Sequence, residues 1–272
     1  MSVKNLQLLG SVLLLTAASS CAVSMKMQGN RFESSEVYGK TAFRLKTGYA
    51  GQSDVQLTDD FTLVPPNTAN PLVEPTHELI VGGSLGIQDR LEIGLDTNSV
   101  GKAKLQILGE PKIRAGEGNV SLAVVGTFGY RSWDKSDTGL FSTQEYKSHI
   151  ENTTYGGQLV VGYRPDPILN LYAGPFIESG SYNGSYEVVN VSKSNYDGKG
   201  LNKGAVIGLE IGSPRVTGML EAAWNHTNSA GSRASFWVGG AQIVVSFGST
   251  KESASSSESR SSSGGYDGRS GF

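Results

Sequence analysis

The chain has a single cysteine, Cys21, so it forms no internal disulfide and offers no cysteine-based metal site. It has three histidines, His77, His149 and His226, and none lies beside a partner at metal-ligand or general-base spacing. Past the amino terminus, no apolar run approaches the roughly 18 residues that a membrane helix needs. Any bilayer crossing by the rest of the chain must therefore be made by strands. The net charge is −2, without the concentrated basic face that nucleic-acid recognition requires, which excludes a nucleic-acid partner. Glycine, by contrast, is abundant: 36 of 272 residues, against a usual share of about 7%.

The amino terminus reads as a secretory signal over residues 1–20. Lys4 is its positive region, Leu8 to Leu15 its apolar run, and Ala17 to Ser20 its small residues. The stretch Leu15-Thr16-Ala17-Ala18-Ser19-Ser20-Cys21 resembles a lipobox, in which small residues precede a cysteine that is acylated before the signal is cut. The resemblance implies lipidation of Cys21 and palmitate among its acyl chains. With Ala22 next, rather than an aspartate, it implies delivery to the outer membrane. Residues 21–37 then read as a lipidated linker.

From Tyr38 onward the dominant signal is period two, in segments of about ten residues. Thr41, Phe43, Leu45, Thr47 and Tyr49 alternate with Lys40, Ala42, Arg44, Lys46 and Gly48. Leu79, Val81, Leu85 and Ile87 form one face of the second segment, and Leu91, Ile93 and Leu95 continue it after a tight turn. Seven further segments end with 234–247, giving about ten strands over residues 38–247. Long connections alternate with short ones, as in an up-and-down antiparallel transmembrane β-barrel with short periplasmic turns and long outer loops. An even strand count places both termini, and a lipid on Cys21, on the periplasmic side.

Charges inside the segments share the parity opposite to the aliphatic residues. A midplane charge facing lipid costs about 2–4 kcal/mol, so Lys40, Arg44, Lys46, Glu78, Glu92, Asp96, Glu178, Glu210 and Glu221 are expected to form a network in the lumen. Arg44 has Glu78, Glu92 and Glu221 as candidate partners. Tyr155 and Tyr163, eight residues apart on one face, span roughly 20 Å along the normal of a tilted strand. Trp237 and Phe247 give a comparable span, and all four read as membrane-interface aromatics.

Residues 38–247 thus resemble the small bacterial outer-membrane β-barrel proteins, with Gly86-Ile87-Gln88-Asp89-Arg90-Leu91-Glu92-Ile93-Gly94-Leu95 similar to a hairpin common among them. The resemblance implies outer-membrane lipid and the outer-membrane assembly machinery as partners, with the assembly signal at Trp237 to Phe247. The chain departs from that group in a Ser/Gly-rich tail, residues 248–272, whose composition reads as disordered.

Ten strands is also the size of the omptin proteases, so Asp59-Asp60 and His226 invite comparison with the paired aspartates and His/Asp pair on the rim of those enzymes. His226 has no nearby aspartate and the acidic pair is adjacent, so no enzymatic activity, cofactor or metal is expected. Barrels of this size are mostly filled by side chains, and Tyr172 and Phe176 narrow the bore. Ser181 to Tyr186 and Ser194 to Gly198 have the Tyr, Asn, Ser and Gly blend of recognition surfaces. The favoured reading is a structural or surface-recognition barrel lipoprotein with a mostly plugged lumen and a surface ligand on its outer loops. A narrow channel for small solutes and a soluble β-rich lipoprotein held by its anchor are the alternatives.

Overall fold

The computed structural model of the protein describes residues 24–57, 71–97, 100–138 and 145–248. The signal, Cys21, Asp59-Asp60 and the tail past Gly248 lie outside them. Among the described residues eleven strands form: β1 Ser24–Gln28, β2 Phe43–Gln56, β3 Leu72–Gln88, β4 Leu91–Asp96, β5 Val100–Leu108, β6 Val120–Thr138, β7 Glu145–Asp166, β8 Leu169–Val188, β9 Ser192–Gly212, β10 Val216–Ser229 and β11 Ser232–Phe247. Strands β3 to β10 each pair antiparallel with the next, and β2 pairs with both β3 and β11. Strands β2 to β11 therefore close a ten-stranded barrel, whose seam between β2 and β11 runs from Phe43↔Phe247 to Tyr49↔Ala241.

The alternation in sequence becomes an inside and an outside. On β7, Tyr155, Leu159, Val161 and Tyr163 are exposed while Thr154, Gln158, Val160 and Arg164 are buried. The apolar residues are on the outside, with Trp237 66% and Ile207 61% exposed, whereas inward Glu178 is 2% exposed. Aromatics bound this outer belt on both sides. Phe43 stacks on Phe247 with centroids 6.4 Å apart at one end, and Trp224 pairs in register with Trp237, and Phe128 with Tyr155, toward the other.

Among the described residues, the connections expected as long loops are largely strand. The 180–203 stretch continues the β8–β9 ladder up to Val188↔Ser192, residues 132–138 and 145–153 extend β6 and β7, and β10 turns into β11 through Ala230 and Gly231, both at positive φ. A hairpin standing in water has no lipid-facing side, so its composition loses the hydropathy alternation that marks strands. These extensions define the hairpin end of the barrel. The β3–β4, β5–β6, β7–β8 and β9–β10 connections define the turn end.

The amino-terminal segment is not a linker outside the barrel, as its polar sequence implies, but fills its interior. β1 pairs with the hairpin-end half of β2, Ser24 opposite Gln56 and Gln28 opposite Gln52. Residues 29–38 then run down the lumen, nearly all buried. The segment reaches the turn end where Thr41 N donates to Gly86 O at 2.8 Å. β2 itself leaves the wall on the way up. Its pairing with β11 ends at Tyr49↔Ala241, and beyond it Ser53 Oγ lies 2.7 Å from Thr227 Oγ1 on the inner face of β10.

Wall glycines make this packing feasible. A Cβ at Gly240 would lie 2.6 Å from Phe32 Cζ, and one at Gly180 would lie 2.9 Å from Met25 Sδ. Neither distance is compatible with a side chain, so part of the glycine excess serves a close approach of the wall to the segment inside it.

Candidate functional site in the barrel lumen

At the hairpin end, Met25 and Met27 join Val55, Leu57, Ile150, Tyr182, Tyr186 and Tyr196 in a buried apolar cluster. Below it the contacts become ionic. Arg31 Nη2 lies 2.7 Å from Glu178 Oε2 on β8, and its guanidinium sits 4.2 Å from the Phe176 ring centroid. Glu221 on β10 accepts the backbone N–H of Arg31 at 2.6 Å and of Phe32 at 3.0 Å, and the Tyr172 hydroxyl donates to it at 3.0 Å. A wall carboxylate thus satisfies two main-chain donors of the segment, a strong arrangement because the acceptor is charged.

Glu33 faces the opposite wall. Its carboxylate lies 3.2 Å from Lys46 on β2 and 3.5 and 3.4 Å from Lys102 and Lys104 on β5. Next along the segment, Ser35 Oγ is 2.6 Å from Ser121 Oγ on β6. Glu36 then forms an ion pair with Arg164 on β7 and accepts from Asn119 Nδ2 at 2.9 Å.

At the turn end, Tyr38 Oη is 3.0 Å from Thr217 Oγ1 and accepts from Lys112 Nζ at 2.7 Å. Lys112 also pairs with Glu210. Arg44 pairs with Glu92, donates from Nε to Ser84 Oγ at 2.9 Å, and packs 4.4 Å over the Tyr38 ring. The middle of the wall is therefore polarised, with lysines on β2 and β5 and acids on β8 and β10. The segment presents Arg31 to the acids and Glu33 to the lysines.

Of the charges expected in the lumen, Arg44, Lys46, Glu92, Asp96, Glu178, Glu210 and Glu221 line it. Glu78 is half-buried at the hairpin end, between Lys26 at 3.9 Å and Arg131 at 3.7 Å. Lys40 departs from the expectation. It is exposed before β2 begins, because the chain turns there from lumen to wall and the alternation does not extend back to it. Among Arg44's three candidate partners the structure selects Glu92. Glu221 is taken up by the segment instead.

Arg31, Glu33 and Glu36 escape sequence reasoning because residues 28–36 show no alternation and look like any solvated linker. Lys104 did carry a signal, since it alternates with Ala103 and Leu105. Tyr155, Tyr163, Trp237 and Phe247 all lie on the outer surface.

The histidines are corrected in part. Solitary in sequence, His149 sits across from Asp134 in the β6–β7 register, with Nδ1 2.7 Å from Oδ1. Both side chains are partly exposed, His149 at 39% and Asp134 at 84%. His226 bonds Ser235 at 2.7 Å and His77 stacks on Tyr49. The spacing Gly82-x-Ser84-x-Gly86 matches a nucleophile elbow, but Ser84 lies within β3 under Arg44, with no strand-to-helix turn to expose it.

No protein-family model and no curated protein matches the chain. Among solved structures it is similar to Ail, the attachment invasion locus protein of Yersinia pestis, at 11% identity and a TM-score of 0.34, over 76% of this chain and 99% of that one. It is also similar to the N-terminal β-barrel domain of Pseudomonas aeruginosa OprF, at 11% identity and a TM-score of 0.24, over 77% of this chain and 99% of that one.

Proposed function

We propose that the chain is an outer-membrane β-barrel lipoprotein of a Gram-negative-type bacterium, acting as a structural or surface-recognition scaffold and not as a channel. The observation that carries the membrane reading is the inverted polarity of the fold, with an apolar, aromatic-bounded exterior around a charged interior. A soluble barrel would expose that belt to water over an area far larger than the few hundred Å² that soluble surfaces tolerate. The scaffold reading follows from the lumen, where residues 29–38 and their wall partners occupy the bore. Acylation of Cys21 supplies a second attachment, the last strand carries the assembly signal, and the hairpin end offers tyrosine-rich extensions to a surface ligand. No enzymatic role is assigned.

Two measurements test this. A Cys21→Ser variant should stay in the membrane fraction after alkaline carbonate, because the barrel holds itself there; release would favour a soluble β-rich lipoprotein. Purified protein in planar bilayers should give no conductance steps, and resolved single-channel openings would replace the scaffold by a narrow channel.

A further inference from the structure

The direction in which the amino-terminal segment runs has a consequence for where the chain begins. Ser24 pairs with Gln56 and Gln28 with Gln52, so β1 starts at the hairpin end and points inward. The wall partners then descend in order. Met25 and Met27 pack on Gly180 and Gly200, Arg31 meets Glu178, Glu36 meets Arg164 near the end of β7, and Thr41 bonds Gly86 at the turn end. From Gln28 to Thr41 an extended chain reaches about 45 Å at the limit of 3.3–3.6 Å per residue, ample for an apolar band of about 25 Å.

Bacterial barrels place short turns in the periplasm and taller connections outside. Here the tall hairpins stand at the end where β1 begins. We propose that the barrel closes around its own amino-terminal segment, so that the chain's amino terminus crosses the outer membrane through the lumen and is displayed at the cell surface. The proposal rests on the outer-membrane reading above. Its corollary concerns the anchor. Cys21 precedes Ser24 by three residues, about 10 Å of chain at most, too short to return across the apolar band. An acyl group on Cys21 then lies in the outer leaflet, not in the periplasmic leaflet that the even strand count implies.

The segment touches wall residues of β2, β5, β6, β7, β8, β9, β10 and β11, so the barrel is packed around it on nearly every side.

Three reporters in otherwise full-length protein test the proposal. The first is an epitope tag inserted between Ala22 and Val23. The second is the same tag at Asn190 in the β8–β9 turn. The third is the Ser35→Cys and Ser121→Cys pair in a Cys21→Ser background, where the two hydroxyls now lie 2.6 Å apart. Antibody should stain intact cells carrying either tag to the same level, and the cysteine pair should form an intramolecular disulfide, seen as faster migration of the unfolded chain on a non-reducing gel.

Staining at Asn190 in intact cells, with the amino-terminal tag reached only after permeabilisation, would overturn display while leaving the outer-membrane reading intact. Failure of both tags in intact cells would reverse the barrel in the membrane and remove the proposal together with its premise. Absence of the disulfide in folded protein, with either tag result, would overturn the threaded lumen itself.

Discussion

Glu33→Gln is the sharpest single test of the filled lumen. The wild-type carboxylate lies 3.2, 3.5 and 3.4 Å from three lysine ammonium groups and is itself 3% exposed. At an effective dielectric of about 20, each contact of this length is an attraction of about 5 kcal/mol. Most of that gross attraction offsets the desolvation of the four groups, and this cost persists for the lysines when the carboxylate is gone. Removing one partner of a buried ionic cluster therefore costs about 3–5 kcal/mol, here with three like charges left crowded together. The assay is urea unfolding of the protein in lipid vesicles, followed by emission of Trp224 and Trp237 on the outer surface. A second variant, Glu33→Gln with Lys104→Met, should recover part of the loss, because it removes one of the stranded cations. A Glu33→Gln barrel within about 0.5 kcal/mol of its parent, the range of an unremarkable surface substitution, would mean that water reaches Glu33, and the closed lumen would be refuted.

Removing Arg44 alone should destabilise more than removing Arg44 and Glu92 together, and additive losses in that double-mutant cycle would count against their coupling. On the outer face, Ile207→Arg should reduce membrane assembly by the equivalent of about 2–4 kcal/mol, read as the folded fraction recovered in vesicles. Normal assembly would place Ile207 away from lipid.

The wall was legible because each residue in it meets two different solvents. Leu159 and Val161 face out while Gln158 and Val160 face in, and that contrast prints a period of two onto the sequence. Where the contrast disappears, so does the signal. Tyr182 and Tyr196 belong to strands that extend past the apolar belt, and the outward residues beside them, Asn183, Asn195 and Asp197, are polar, so the β8–β9 extension lacks the apolar outer face that marks a wall strand and reads as loop. The inner segment is the extreme case. Asn30, Arg31, Glu33, Ser34, Ser35 and Glu36 are buried on all sides, yet their composition is that of a solvated linker, because the medium that buries them is itself charged and hydrogen-bonding. Only pairing across the lumen distinguishes the two, and pairs such as Glu33 with Lys104 are remote in sequence.

The inner segment also answers a problem that the seam creates. β2 loses β11 as its neighbour beyond Tyr49, so the hairpin-end half of the strand would leave one row of backbone donors and acceptors without partners inside the barrel, where each buried orphan is costly. β1 supplies them. Its register covers Gln52 to Gln56, and just below it Asn30 N donates to Gly51 O at 2.8 Å while Asn30 Oδ1 accepts from Gly51 N at 2.9 Å. One stretch of chain thus completes the ladder of the displaced strand and neutralises both sides of a polarised wall. A chain cut before Phe43 would lose both functions at once: the lysines of β2 and β5 would face the acids of β8 and β10 across an empty bore, and the upper half of β2 would have a bare edge.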